Sequence, residues 1–134
     1  WLPWASEVKE LSHLLRRLGH AANEAGDADA ARHLFDVCFA VAQVPADLLS
    51  AANMRVKLVG TSHAAEALYD YLLSLGDALS TNEAEVAARK LGVIRDQRRQ
   101  MATTTRRAQR TELDGDSTGE PDEAEFMNWM TQTA

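Results

Sequence analysis

One cysteine, Cys38, stands in the 134 residues. A single thiol closes no disulfide within the chain and builds no thiolate zinc cluster. Its neighbours, LFDVCFAVA, are apolar, which predicts a buried structural thiol. Proline is scarce at three residues and glycine at seven, so few points interrupt a helix. Aromatic residues make up only 6%, and valine and isoleucine are sparse, which leaves little to favour strands. No apolar run approaches the roughly 18 residues that a membrane span needs. No secretory leader is readable, and the chain opens at Trp1 rather than methionine, as a processed product or a piece of a longer chain does. No glycine-rich phosphate loop, nucleophile–base pair or catalytic dyad is visible. The expectation is a binding or structural protein, not an enzyme, in an intracellular and cytoplasmic setting.

What is present is helix-forming. The chain is 46% apolar and 25% charged, enough to bury a core. Apolar residues recur at helical spacing in SEVKELSHLLRRLG (6–19), where Ser6 suits a cap and Gly19 a stop. The same pattern predicts helices at 28–42, 46–60, 62–76 and 80–92, the last with Ser80 and Glu83 as a capping box and Gly92 as its end. An Arg-rich segment reads as a sixth helix and EFMNWMTQ (125–132) as a seventh. The fold class is all-α.

Charge is unevenly spread beneath the net −6. Residues 95–110 hold six arginines and one aspartate, and residues 111–134 hold seven acids and no base. The adjoining acids, and the absence of aromatics between the arginines, argue against nucleic acid as a partner. His13 and His20 lie at i, i+7, too far apart to chelate one ion, and with His33 and His63 they read as ordinary histidines. Met54, Met101, Met127 and Met130 read as core, or as the lining of a groove for a target helix.

Two readings of the organisation compete. Gly26 and Gly60 stand roughly 34 residues apart, the period of one class of helix hairpin. Each is followed by an alanine and an aromatic, Ala31/Phe35 and Ala65/Tyr69. This resembles tetratricopeptide helix hairpins. The likeness covers about 70 residues; Asn53 replaces the small residue matching Gly19, and Ile94 stands where the next glycine belongs. It implies a calcium-independent repeat scaffold, a subunit of a larger assembly.

The other reading starts from DGDSTGEPDEAEF (114–126). A twelve-residue calcium loop places oxygen ligands at positions 1, 3, 5, 7, 9 and 12, with glycine at 6 for the sharp turn. Counted from Asp114, these are Asp114, Asp116, Thr118, Glu120 through its carbonyl, Asp122 and Glu125, with Gly119 at the turn. Phe126, Trp129 and Met130 then give the exit helix an apolar face.

This stretch resembles an EF-hand loop. Glu10 before Leu18-Gly19 and Glu83 before Leu91-Gly92 are similar to exit helices of calmodulin-like members, set two motif units apart. FDVCFAVAQVPA (35–46) and LLSLGDALSTNE (72–83) fall where further loops belong but lack the ligands, so they are expected to be empty. Pro121, which has no N–H to give a partner loop, and the neutral Thr118 imply weak binding.

The resemblance implies helix–loop–helix pairs in two small lobes, residues 1–60 with degenerate units and residues 61–134 with one intact loop, joined through 58–62. It implies a calmodulin-like or light-chain-like regulatory or structural subunit. Such a subunit grips an amphipathic helix of a larger partner and takes one Ca2+ at the loop. Neither nucleic acid nor a membrane span enters this expectation.

Overall fold

A computed structural model describes residues 4–113, 129, 131 and 132. Over residues 4–113 five α-helices follow in order: α1 (Ala5–Glu24), α2 (Ala28–Ala42), α3 (Pro45–Val56), α4 (Ser62–Ser74) and α5 (Thr81–Leu113), with a 3-10 turn at Gly76–Ala78 before the last. The protein is all-α, with no strand among the described residues. Tertiary contacts divide the chain into two units, Trp1–Asp96 and Gln97–Ala134, and α5 contributes to both.

Local chemistry sets most helix ends. After α1 the chain turns through Gly26 at φ +82°, the Gly26 N–H donates to Asn23 O, and the Asp27 N–H donates to Ala22 O. That is a Schellman closure, and it needs a residue that tolerates positive φ. Asp27 then caps α2 by accepting from the Ala30 N–H at 3.0 Å. Pro45 opens α3 at its first turn, where a missing N–H costs nothing. Gly60, at φ +81°, makes the turn into α4. The Thr61 hydroxyl ties that turn by donating to the carbonyls of Arg55 and Leu58. Ser80 accepts from the Glu83 N–H at 3.1 Å and starts α5, as its capping position predicts.

Packing runs along the chain, each helix against the next through α4, and it builds two apolar clusters. Ala31 and Phe35 of α2 meet Ala51 and Met54 of α3, with Ala22 of α1 against them. Leu48, Leu49 and Ala52 of α3 meet Ala65, Tyr69 and Leu72 of α4, Leu79, and Ala87, Leu91 and Ile94 of α5. This second cluster draws on residues from both sides of residue 60.

The two clusters repeat one register. Ala31 and Ala65 are both fully buried, Phe35 and Tyr69 are buried one turn on, and Cys38 and Leu72 follow. Each pair has the offset that separates Gly26 from Gly60, and Gly19 and Asn53 share it. A Cβ on Gly19 would come within 2.9 Å of the Phe35 ring, so the ring rests directly on the α1 backbone. In the second repeat the Tyr69 hydroxyl donates to Asn53 Oδ1 at 2.6 Å. Phenylalanine on glycine and tyrosine on asparagine are two solutions of one contact. Asn53 therefore fits the repeat, with the buried phenol satisfied by the amide.

Several helix boundaries differ from the sequence expectation. Gly19 does not end α1, which runs on to Glu24 because Phe35 selects a residue without a side chain there. Gly92 does not end the helix from residue 80; the fifth and sixth expected helices are one, α5. Ile94, expected to break the repeat, does so by staying helical and buried where Gly26 and Gly60 turn. Residues 35–46, aligned with an EF-hand loop, are helical through Ala42 and again from Pro45. Residues 72–83 hold the end of α4, the 3-10 turn and the start of α5. Burial of Phe35, Cys38 and Leu72 drives both segments into helix, and neither forms a twelve-residue loop.

Candidate functional site

The six expected calcium ligands, Asp114, Asp116, Thr118, Glu120, Asp122 and Glu125, lie outside the described residues, as do Gly119 and Pro121. Among the described residues no group of three or more His, Cys, Asp or Glu side chains is placed to hold a metal ion. His20 stacks edge-on against Phe35, with ring centroids 5.1 Å apart. Met54 is core, whereas Met101 is exposed. In the second unit Met101 lines a cleft of about 570 Å³ with Gln97, Gln100, Thr104, Thr105, Trp129 and Gln132. From Asp96 to Leu113 every residue of α5 is exposed, which sets the arginines of this stretch at the solvent-facing surface.

The first unit carries the more developed arrangement. Side-chain bonds join α1 to α3. Arg16 of α1 holds Asp47 of α3 with two parallel bonds, Nε to Oδ1 at 2.6 Å and Nη2 to Oδ2 at 2.8 Å. Asp47 is 1% exposed, so only a bidentate guanidinium makes its burial tolerable. Hydrogen bonding to Asp47 raises the Arg16 pKa further. The Cys38 thiol lies beneath this pair and donates to Ser12 O at 3.3 Å. Burial first, and Asp47 second, push the thiol up to about 11. It stays protonated at neutral pH, which removes the only cysteine as a nucleophile.

At the end of α3 the face changes character. Lys57 donates to Asn23 Oδ1 of α1 at 2.6 Å. Lys90 of α5 is half-buried, and its pKa is lowered by burial, then by the like charges of Arg89 and Lys57. Lys57 thus both reaches Asn23 and repels Lys90. Cations that repel one another favour an incoming anion, which relieves the repulsion.

Acids of the even-numbered helices hold arginines of α3 and α5. Asp36 of α2 receives both terminal nitrogens of Arg55 of α3, at 2.8 and 2.7 Å. Asp70, one repeat further on, receives Arg95 of α5 at 2.9 Å, and Glu66 shares that arginine at 3.4 Å. The acid recurs in register while its arginine does not: Arg55 lies 19 residues after Asp36, and Arg95 lies 25 after Asp70.

Sequence reasoning found none of these pairs. The repeated acid at 36 and 70 was a usable clue, as was an aspartate, Asp47, set among apolar neighbours shortly after Pro45. Comparison with models of known protein families, with curated proteins and with solved structures finds no match to this chain.

Proposed function

We propose that this chain is a helical-repeat interaction module, a scaffold subunit whose α1–α3–α5 face receives an extended acidic segment of a larger partner. The observation that carries the reading is the internal repeat register. It pairs Ala31 with Ala65, Phe35 with Tyr69, Cys38 with Leu72 and Gly26 with Gly60 in burial or backbone conformation. Helix pairs stacked in such a register leave one set of helices lining a continuous face, which is how repeat proteins bind. The Asn23–Lys57–Lys90 edge supplies the preference for acidic groups. No step of catalysis enters this reading.

The test is fluorescence anisotropy with a labelled Glu/Asp-rich decapeptide and a Lys-rich control. The acidic peptide binds, weakens with added salt, and loses affinity at least about tenfold in Lys57→Glu/Lys90→Glu. Equal binding of both peptides, or an unchanged affinity in the double variant, refutes the acidic-segment assignment.

The spacing of 114–125 favours a second reading, a calmodulin-like or light-chain-like EF-hand subunit. In it, Asp114, Asp116, Thr118, Glu120, Asp122 and Glu125 hold one Ca2+ and the module grips an amphipathic helix. Its support is the order of oxygen-bearing residues around Gly119 in the sequence. Calorimetric titration with calcium checks it. Heat that disappears in Glu125→Gln supports the clamp; no heat at millimolar calcium removes it.

A further inference from the structure

Beyond Asp96 the charges of α5 are sorted by face. Arg99, Arg106 and Arg110 follow at spacings of seven and four, which sets them on one stripe, and all three are exposed. At about 100° per residue, Gln97, Met101, Thr104 and Thr105 fall on the opposite side, the one that closes a cleft with Trp129 and Gln132. The arginine stripe therefore points away from that cleft.

The cations of this stretch are of one kind. Residues 95–110 hold six arginines, and no lysine follows Lys90 in the sequence. A planar guanidinium grips a carboxylate with two parallel bonds, where an ammonium offers only a point charge. Arg16 on Asp47 and Arg55 on Asp36 show that geometry in this chain. What meets the same side of α5 is visible one turn earlier. Arg95 stands four residues before Arg99, and its guanidinium takes two carboxylates from α4, Asp70 at 2.9 Å and Glu66 at 3.4 Å. Glu66 and Asp70 are themselves one turn apart on one face of their helix. The acids on this side of α5 thus come from a helix with carboxylates at i, i+4.

We infer that the Arg99–Arg106–Arg110 stripe is a docking surface for an acidic helix of a partner protein, one whose carboxylates recur every three or four residues along one face. The surface is separate from the Lys57–Lys90 edge and does not depend on it. It spans about 17 Å, three turns of α5, so a partner helix lying along it sets a carboxylate against each arginine. Regularly spaced charges on paired helices select the partner and its orientation.

Exposed ion pairs are individually weak, so several must act together. The seven acids of residues 111–134 also offer competing charge within the same chain. The complex is therefore weak and salt-sensitive, with dissociation at roughly 0.1–1 mM at low ionic strength.

Fluorescence anisotropy with the whole chain and two labelled alanine-based helical peptides tests this. One carries its glutamates on a single face at alternating spacings of three and four; the control spreads the same glutamates around the helix. The single-face peptide binds at least about fivefold more tightly than the control, and raising salt from roughly 20 to 300 mM weakens it at least about tenfold. Arg106→Glu/Arg110→Glu weakens it at least about tenfold, and Arg106→Lys/Arg110→Lys, which keeps charge but loses the fork, about threefold. Far-ultraviolet circular dichroism stays unchanged in both variants, because these side chains are exposed. Lys57→Glu/Lys90→Glu leaves this binding within about twofold, which separates it from the acidic-segment face. Four results each overturn the proposal. They are no binding at low salt, as when the chain's own acids hold the arginines; equal binding of the two peptides; a loss in the Lys57/Lys90 variant instead of the Arg106/Arg110 variant; and tighter binding of a DNA duplex of equal charge.

Discussion

Replacing Gly19 with alanine sets two opposing effects of known size against each other. In the middle of a helix, alanine is more favourable than glycine by about 1 kcal/mol. Here the added methyl lies 2.9 Å from both Cε1 and Cζ of Phe35. Contacts that close force a neighbour to move, and the far end of a mobile side chain moves at little cost. Phe35 has no such freedom: it is 1% exposed and enclosed by Ala22, Ala31, Ala51 and Met54. Overpacking of a filled core costs about 1–3 kcal/mol, so the clash wins and the net change is a loss of about 1 kcal/mol.

Urea unfolding followed by circular dichroism measures that change, and the melting temperature falls by about 4–8 °C per kcal/mol in a unit of this size. The second repeat unit sharpens the experiment. Gly19→Asn alone adds a buried amide without a partner and costs more, by about 1–3 kcal/mol. Adding Phe35→Tyr transplants the Tyr69–Asn53 contact and recovers about 1 kcal/mol or more relative to the sum of the single changes. A Gly19→Ala protein stabilised by the full helix-propensity gain refutes the reasoning, because it means the ring yields and the repeat contact is not tight.

Other glycines give opposite signs for stated reasons. Gly92 sits inside α5 with open space around its α-carbon, so Gly92→Ala raises stability by about 1 kcal/mol, whereas Gly60→Ala, at φ +81°, lowers it by about 1–2 kcal/mol in the same unfolding assay. Asp47→Asn breaks the two-bond pair with Arg16, whose side chain is 27% exposed and can turn to water; the loss is about 2 kcal/mol, below the roughly 3–5 kcal/mol of a fully buried pair. The Cys38 thiol is raised from 9.0 to about 11 in the fold, so its contribution to stability is complete below pH 9 and is lost as pH rises from 9 to about 11. Unfolding free energies measured from pH 8 to 11 therefore fall more steeply in the native chain than in Cys38→Ala, and equal slopes contradict the burial of the thiol.

Much of the organisation was legible because it depends on neighbours in sequence. Six of the expected helices appear, the fifth and sixth fused; Cys38 is buried as its apolar neighbours imply, and so are the Ala31/Phe35 and Ala65/Tyr69 pairs of the repeat reading. The spacing of Gly26 and Gly60 marked two true turns, since a helix closed through positive φ leaves its mark locally. Gly19 and Gly92 carry the same letter without that conformation, and local reading could not tell the two uses apart. The candidate face was not legible. Arg16 meets Asp47 across 31 residues, and Lys57 meets Asn23 across 34. Nothing in either residue's surroundings names its partner.

The sequence by itself determined that the chain is helical and where two of its turns fall, because propensity, capping and periodicity act within a few residues. Only the tertiary structure decided that Gly19 is a seat for Phe35, that Asn53 answers Tyr69, and that Lys57 of α3 meets Asn23 of α1. These outcomes depend on which surfaces meet when helices far apart in sequence bury their apolar sides. That choice is made by packing over the whole unit, not by any one segment.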